Sequence, residues 1–155
     1  MTNKQLLIVG HVPSPNIQTL RDAVERGARH PDIEGVEVNA LSPFDATPEH
    51  VKAADAIILG TTENLGYMSG ALKDFFDRIY YPCLDHTQGL GYGLFIKAGN
   101  DGQGALSAVT RIITGLAWRA LTEPVIVVGE LKPNDLEQAR ELGRTIAAGL
   151  EAGLF

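Results

Sequence analysis

The chain has 155 residues, 45% of them hydrophobic, a length that suits one compact domain with a core of its own and leaves no room for two. Its 13 Lys+Arg against 19 Asp+Glu give a net charge of -6, which argues against a nucleic-acid partner bound through a broad basic face. The single cysteine, Cys83, can form no internal disulfide and has no second thiolate with which to frame a zinc site, so a reducing, cytoplasmic setting is expected.

Lys4 to Gly10 contains Leu6-Leu7-Ile8-Val9 ending in Gly, a short continuous apolar run typical of a strand buried on both faces. The helical period of Ile17, Leu20 and Val24 follows it. Gly35 to Leu41, with Val36 and Val38 alternating with polar residues, predicts a more exposed edge strand. A short helix is expected over 48–54, opened by Pro48. Ala56 to Gly60 is the next apolar strand, followed by a helix on Leu72, Phe75, Phe76 and Ile79. Gly93 to Ile96 precedes a helix on Leu106, Val109, Ile112, Ile113 and Leu116, with Trp118 expected in its C-terminal part as a core or subunit-interface residue. Val125 to Gly129 and a last helix on Leu136, Ala139, Leu142, Ile146 and Leu150 complete the order βαβαβαβαβα.

Strict alternation implies a doubly wound α/β fold: a five-stranded parallel sheet with helices on both faces, reached by right-handed crossovers. No repeat, low-complexity stretch or linker divides it, so 1–155 is expected to be a single domain. Met-Thr-Asn-Lys-Gln lacks the apolar stretch of a signal peptide, and no apolar run approaches the roughly 18 residues of a membrane span. Ligands of such sheets bind beyond the carboxyl ends of the strands, which directs attention to the loops after strands one, three and four.

The first loop, His11 to Thr19, offers Ser14, Asn16 and Thr19 but no Lys or Arg. A phosphate can be held there by hydroxyl, amide and free helix N–H groups, although Pro13 and Pro15 donate none. Equally, Ser14 or Asn16 can serve simply as an N-cap. Neither G-x-x-x-x-G-K-[ST] nor G-x-G-x-x-G is present at this loop, so ATP chemistry and a conventional dinucleotide site lose ground.

The second loop is more specific. Gly60-Thr61-Thr62, then Gly66-Tyr67-Met68-Ser69-Gly70, Leu72-Lys73 and Phe76-Asp77-Arg78, resembles the pattern of flavodoxin-like, FMN-dependent flavin and quinone reductases over nearly twenty positions. The resemblance implies a sheet of strand order 2-1-3-4-5 that binds FMN. It also implies flavin contacts from Thr62, Glu63, Asn64, Leu65 and Gly66, with backbone groups following protonation changes at the ring edge. Two positions depart from the pattern: Thr62 replaces the usual proline and Leu65 the usual aromatic. At the first loop the same resemblance, which is looser there, makes Ser14, Pro15, Asn16 and Ile17 the phosphate turn, with Ile17 where a hydroxyl residue is common. At the third loop it gives Gly99, Asn100, Asp101 and Gly102 a place beside the ring or the ribityl chain. A turn with an N-cap explains Asp101 and Gly102 equally well.

The expected function is therefore an oxidoreductase passing electrons from NADH or NADPH through FMN to a quinone, a flavin or another small acceptor. Without a second domain for the nicotinamide, donor and acceptor would use one flavin face in turn. The third loop carries no aromatic residue, and the second only Tyr67, which leaves a face open to substrate. The alternatives are a one-electron carrier and a protein of this fold that no longer binds flavin. By analogy with the family, a homodimer or homotetramer is expected. No metal is expected at Cys83-Leu84-Asp85-His86; His11 and His86 are candidates for the cofactor mouth or for plain solvated loops.

Overall fold

In the computed structural model, which describes residues 2–155, the chain runs through twelve elements. They are β1 (Lys4–Gly10), α1 (Pro15–Ala28), β2 (Val36–Leu41), α2 (Pro48–Ala53), β3 (Ala56–Asn64), β4 (Tyr67–Met68), α3 (Gly70–Cys83), β5 (Gly91–Ala98), α4 (Gln103–Leu116), β6 (Arg119–Ala120), β7 (Val125–Val128) and α5 (Pro133–Glu151). Parallel ladders join β2, β1, β3 and β5 in that order. β6 and β7 then pair successively along β5, Arg119 opposite Gly91 and Val125 opposite Phe95. They are two pieces of one fifth strand, so the main strands have the expected order 2-1-3-4-5.

Successive residues of a strand point to opposite faces, and the core divides accordingly. α1 and α5 cover Leu6, Ile8, Ile58 and Phe95; α2, α3 and α4 cover Leu7, Val9, Ile57, Leu59 and Ile96. The helical residues expected to face the sheet do so: Ile17, Leu20, Leu72, Phe75 and Ile79 are fully buried.

Three expectations need correction. β3 does not stop at Gly60 but continues to Asn64, because the β-branched pair Thr61-Thr62 keeps its ladder with Ile96 and Lys97 of β5. The fifth strand is split at 121–124, where Pro124 has no N–H to give a ladder. Trp118 lies beyond α4, which ends at Leu116 with Ala117 in the left-handed region as its C-cap. Trp118 is nevertheless a core residue: its Nε1 donates to Thr87 Oγ1 at 2.9 Å and its ring packs on Phe76.

Candidate functional site

Because the main strands are parallel, the segments after β1, β3 and β5 emerge at the same end of the sheet. The first is the β1–α1 turn. Ser14 is the N-cap of α1 with extended backbone, yet its side chain makes no capping bond. The first helical bond at this end runs from Gln18 N–H to Ser14 O at 3.0 Å, so the N–H groups of Asn16 and Ile17 precede the helical ladder. Ser14, Pro15 and Asn16 are exposed, whereas the Ile17 side chain is wholly buried and only its backbone can serve a ligand. Thr19 is committed locally, its hydroxyl donating to Pro15 O at 2.9 Å. An N-terminus with an unused hydroxyl and unused N–H groups attracts an anion by hydrogen bonding and by the helix dipole.

The second segment is a hairpin rather than an open loop. β3 turns back into β4 with Asn64 opposite Tyr67, and Leu65 and Gly66 form a two-residue turn at φ 53° and 73°. Both central residues being left-handed is the geometry of a type I′ turn, which favours Asn-Gly. Leu65 therefore bears backbone strain while its side chain is fully exposed. Leu65→Asn is expected to stabilise the cofactor-free protein by about 1 kcal/mol. Urea unfolding measures this, and a lowered midpoint would contradict it. At the hairpin base, Thr61 Oγ1 accepts from Ser69 N–H at 2.9 Å, and Ser69 Oγ in turn accepts from Leu72 N–H at 3.2 Å to cap α3. Thr62 Oγ1 donates to Asn64 Oδ1 at 2.9 Å.

The third segment, Gly99 to Gly102, opens α4 with Gly102 as a left-handed N-cap. Asp101 Oδ1 accepts from Gln103 N–H at 3.0 Å, so this carboxylate is occupied in capping; Gly99 and Asn100 are exposed. The hairpin and α4 are locked together. Glu63 Oε2 accepts from Ala105 N–H at 3.1 Å, which puts a carboxylate on the positive end of the helix. The Gly66 carbonyl lies where a Cβ on Gly104 would stand.

Much of the motif after Gly70 is scaffold. Lys73 Nζ donates to Asp77 Oδ1 at 2.6 Å, and that bond holds the ammonium above its ordinary pKa. Arg78 pairs with Asp74 at 2.8 Å and reaches the carbonyls of Pro43 and Ala46, fastening the β2–α2 connection to α3. That connection carries Phe44, an exposed aromatic at the same strand end which the sequence reading passed over; a lone Phe in a Ser-Pro-Phe-Asp turn was its only signal. Its ring meets His11 edge-on at 6.3 Å. His86 does not join them. It follows α3 on the way into β5, at the opposite end of the sheet, in a hollow with Val51, Lys52 and Leu90. Cys83 is buried against α2, where burial pushes its thiol pKa up.

A doubly wound sheet of order 2-1-3-4-5 with these three segments at its carboxyl edge is a flavodoxin-like α/β protein. The chain belongs to the NADPH-dependent FMN reductase family, whose model matches residues 14–130. It is 28% identical over 159 residues to a protein named flavodoxin from Aquifex aeolicus, a match covering 92% of this chain and 85% of that one. Among solved structures it resembles an archaeal flavodoxin, with a TM-score of 0.80 at 19% identity over 95% of this chain and 99% of the other. It also resembles a WrbA-like protein from Agrobacterium tumefaciens, at 0.73 and 20% over 97% and 99%. A flavodiiron protein from Giardia intestinalis matches at 0.81 and 15%, covering 97% of this chain and 37% of that one. The solved structures show the shared fold, and the family match places the protein among the flavodoxin-superfamily oxidoreductases and electron carriers.

Proposed function

We propose that the protein binds FMN and passes electrons from NADH or NADPH to a quinone, a flavin or another small acceptor. The observation that carries the reading is Ser14: at an N-cap position its hydroxyl makes no capping bond, and the N–H groups beside it precede the helical ladder. These donors fit the phosphate of FMN. The Ser14 hydroxyl, the Asn16 amide and the backbone N–H groups of Asn16 and Ile17 would hold it, while Pro15 sets the helix start that aims them.

The hairpin residues Thr62, Glu63, Asn64, Leu65 and Gly66 would line the isoalloxazine ring with main-chain groups, and Gly99, Asn100, Asp101 and Gly102 would close its other side. Bound FMN supplies hydride acceptance and electron release. The chain's part is to orient the ring, to present N–H and C=O groups at its edge and to leave one face uncovered. With Tyr67 as the hairpin's one aromatic and none in 99–104, donor and acceptor would occupy that face in turn. The experiment is anaerobic addition of NADPH or NADH to the FMN-loaded protein. Loss of the oxidised-flavin absorbance is expected, and its persistence with both nicotinamides overturns the reductase reading.

A second reading, a one-electron carrier serving partner enzymes, is favoured by the 28% identity to the Aquifex aeolicus flavodoxin. It predicts reduction by a reductase partner or dithionite but not by free nicotinamides.

A further inference from the structure

His11 is the one ionisable side chain between His11 and Thr19, and the turn contains no Lys or Arg. A phosphate monoester carries nearly two negative charges at neutral pH, so the docked phosphate lacks a fixed counter-charge in a chain of net charge -6. The His11 N–H donates to Gly60 O at 3.1 Å, which fixes the residue at the carboxyl end of β1. Its ring stands edge-on to Phe44, and Nδ1 is enclosed without a hydrogen-bond partner. We propose, resting on the FMN reading above, that His11 is the counter-charge of the flavin phosphate, taking one proton from solvent as the phosphate docks and returning it as the phosphate leaves.

Three of the charged groups on the elements next to His11 have partners of their own. From α3, Arg78 is held by Asp74 and by the Pro43 and Ala46 carbonyls. From β3, Glu63 is turned to Ala105. From α1, Arg21 pairs with Asp22 at 3.3 Å through its Nη2, its stem lying beside Gly10 and its Nε enclosed without a hydrogen-bond partner. Asp45, next to Phe44 in the β2–α2 connection, makes no ion pair among the described residues. Burial pushes the His11 pKa below its ordinary value and so favours the neutral ring in the free protein. A phosphate dianion favours the protonated ring and raises its pKa in the complex. Affinity is then greatest below the free ring's pKa, falls as pH rises towards the pKa of the complex, and levels off above it.

The test is a fluorescence titration of wild type and His11→Gln with FMN and with riboflavin between pH 6.5 and 9, above the second phosphate ionisation at about 6. Calorimetry in two buffers of different ionisation enthalpy counts the protons. For wild type the FMN Kd is expected to rise at least about fivefold across that range while the riboflavin Kd stays flat. Proton uptake approaches one per FMN at neutral pH. His11→Gln is expected to bind FMN weakly and without pH dependence, and riboflavin as wild type does. A pH-independent FMN Kd with no proton uptake overturns the role of His11 alone. Failure of wild type to bind either flavin overturns the FMN reading and this one with it.

Discussion

Gly104→Ala is expected to weaken FMN binding at least about fivefold while the secondary structure persists, because about 1 kcal/mol, the low end of the strain that an extra buried methyl causes, already gives that factor. The new methyl would fall inside the Gly66 carbonyl, and both atoms in conflict are backbone, with no flexible side-chain end to yield. Either the hairpin lifts from α4 or the first turn of α4 unwinds. Both outcomes break the bond from Ala105 N–H to Glu63 and displace the residues proposed to line the ring. Gly70→Ala is the comparison: it lies in the same motif, but its Cβ would meet nothing within 4 Å. FMN titration of both variants, with far-UV circular dichroism as the check on folding, separates them. Equal affinities in Gly104→Ala and wild type would show that the clamp does not position the flavin site.

That clamp was not legible in the sequence, since Glu63 and Ala105 lie 42 positions apart and no local pattern marks a carboxylate that caps a distant helix. The fold was legible for the opposite reason. Continuous apolar runs such as Leu6 to Val9 are long enough to declare a buried strand, and right-handed crossovers then bring the loops after strands one, three and four to one end. Inside those loops local chemistry misled. Thr61 to Asn64 reads as polar loop, yet it continues β3 because β5 still pairs with it as far as Thr62. The turn carries Leu65 where its geometry prefers Asn, so the usual hairpin signal is missing. At Ser14 the sequence left cap and ligand open together, and the unused hydroxyl is a fact of geometry that no residue type encodes. At Asp101 the sequence left the same two roles open, and Oδ1 takes up the Gln103 N–H at the start of α4.

Gly60→Ala is expected to destabilise the protein by about 1–3 kcal/mol, and Phe95→Leu to recover part of that loss. The fully buried Phe95 ring crosses β3 at Gly60, where a Cβ would lie within 2.6 Å of Cε1 and closer still to Cζ, and its tip reaches Gly10 on β1. The ring is packed among Leu6, Ile8, Ile58 and Val127 beneath α1 and α5, so it cannot swing aside without displacing them. Leucine is shorter and leaves room for the methyl, so the two substitutions should couple. The double variant is expected to be more stable than the sum of the singles by about 1 kcal/mol, measured by urea unfolding of all four proteins. Strict additivity would mean that the first glycine of the motif answers to something other than Phe95. The coupling also reaches the site: Gly60 O accepts from His11 N–H, and the next residue, Thr61, holds Ser69 at the hairpin base. FMN affinity in Gly60→Ala should therefore fall with stability and rise again in the double variant, because the ring that fixes Gly60 also sets where β3 leaves the sheet.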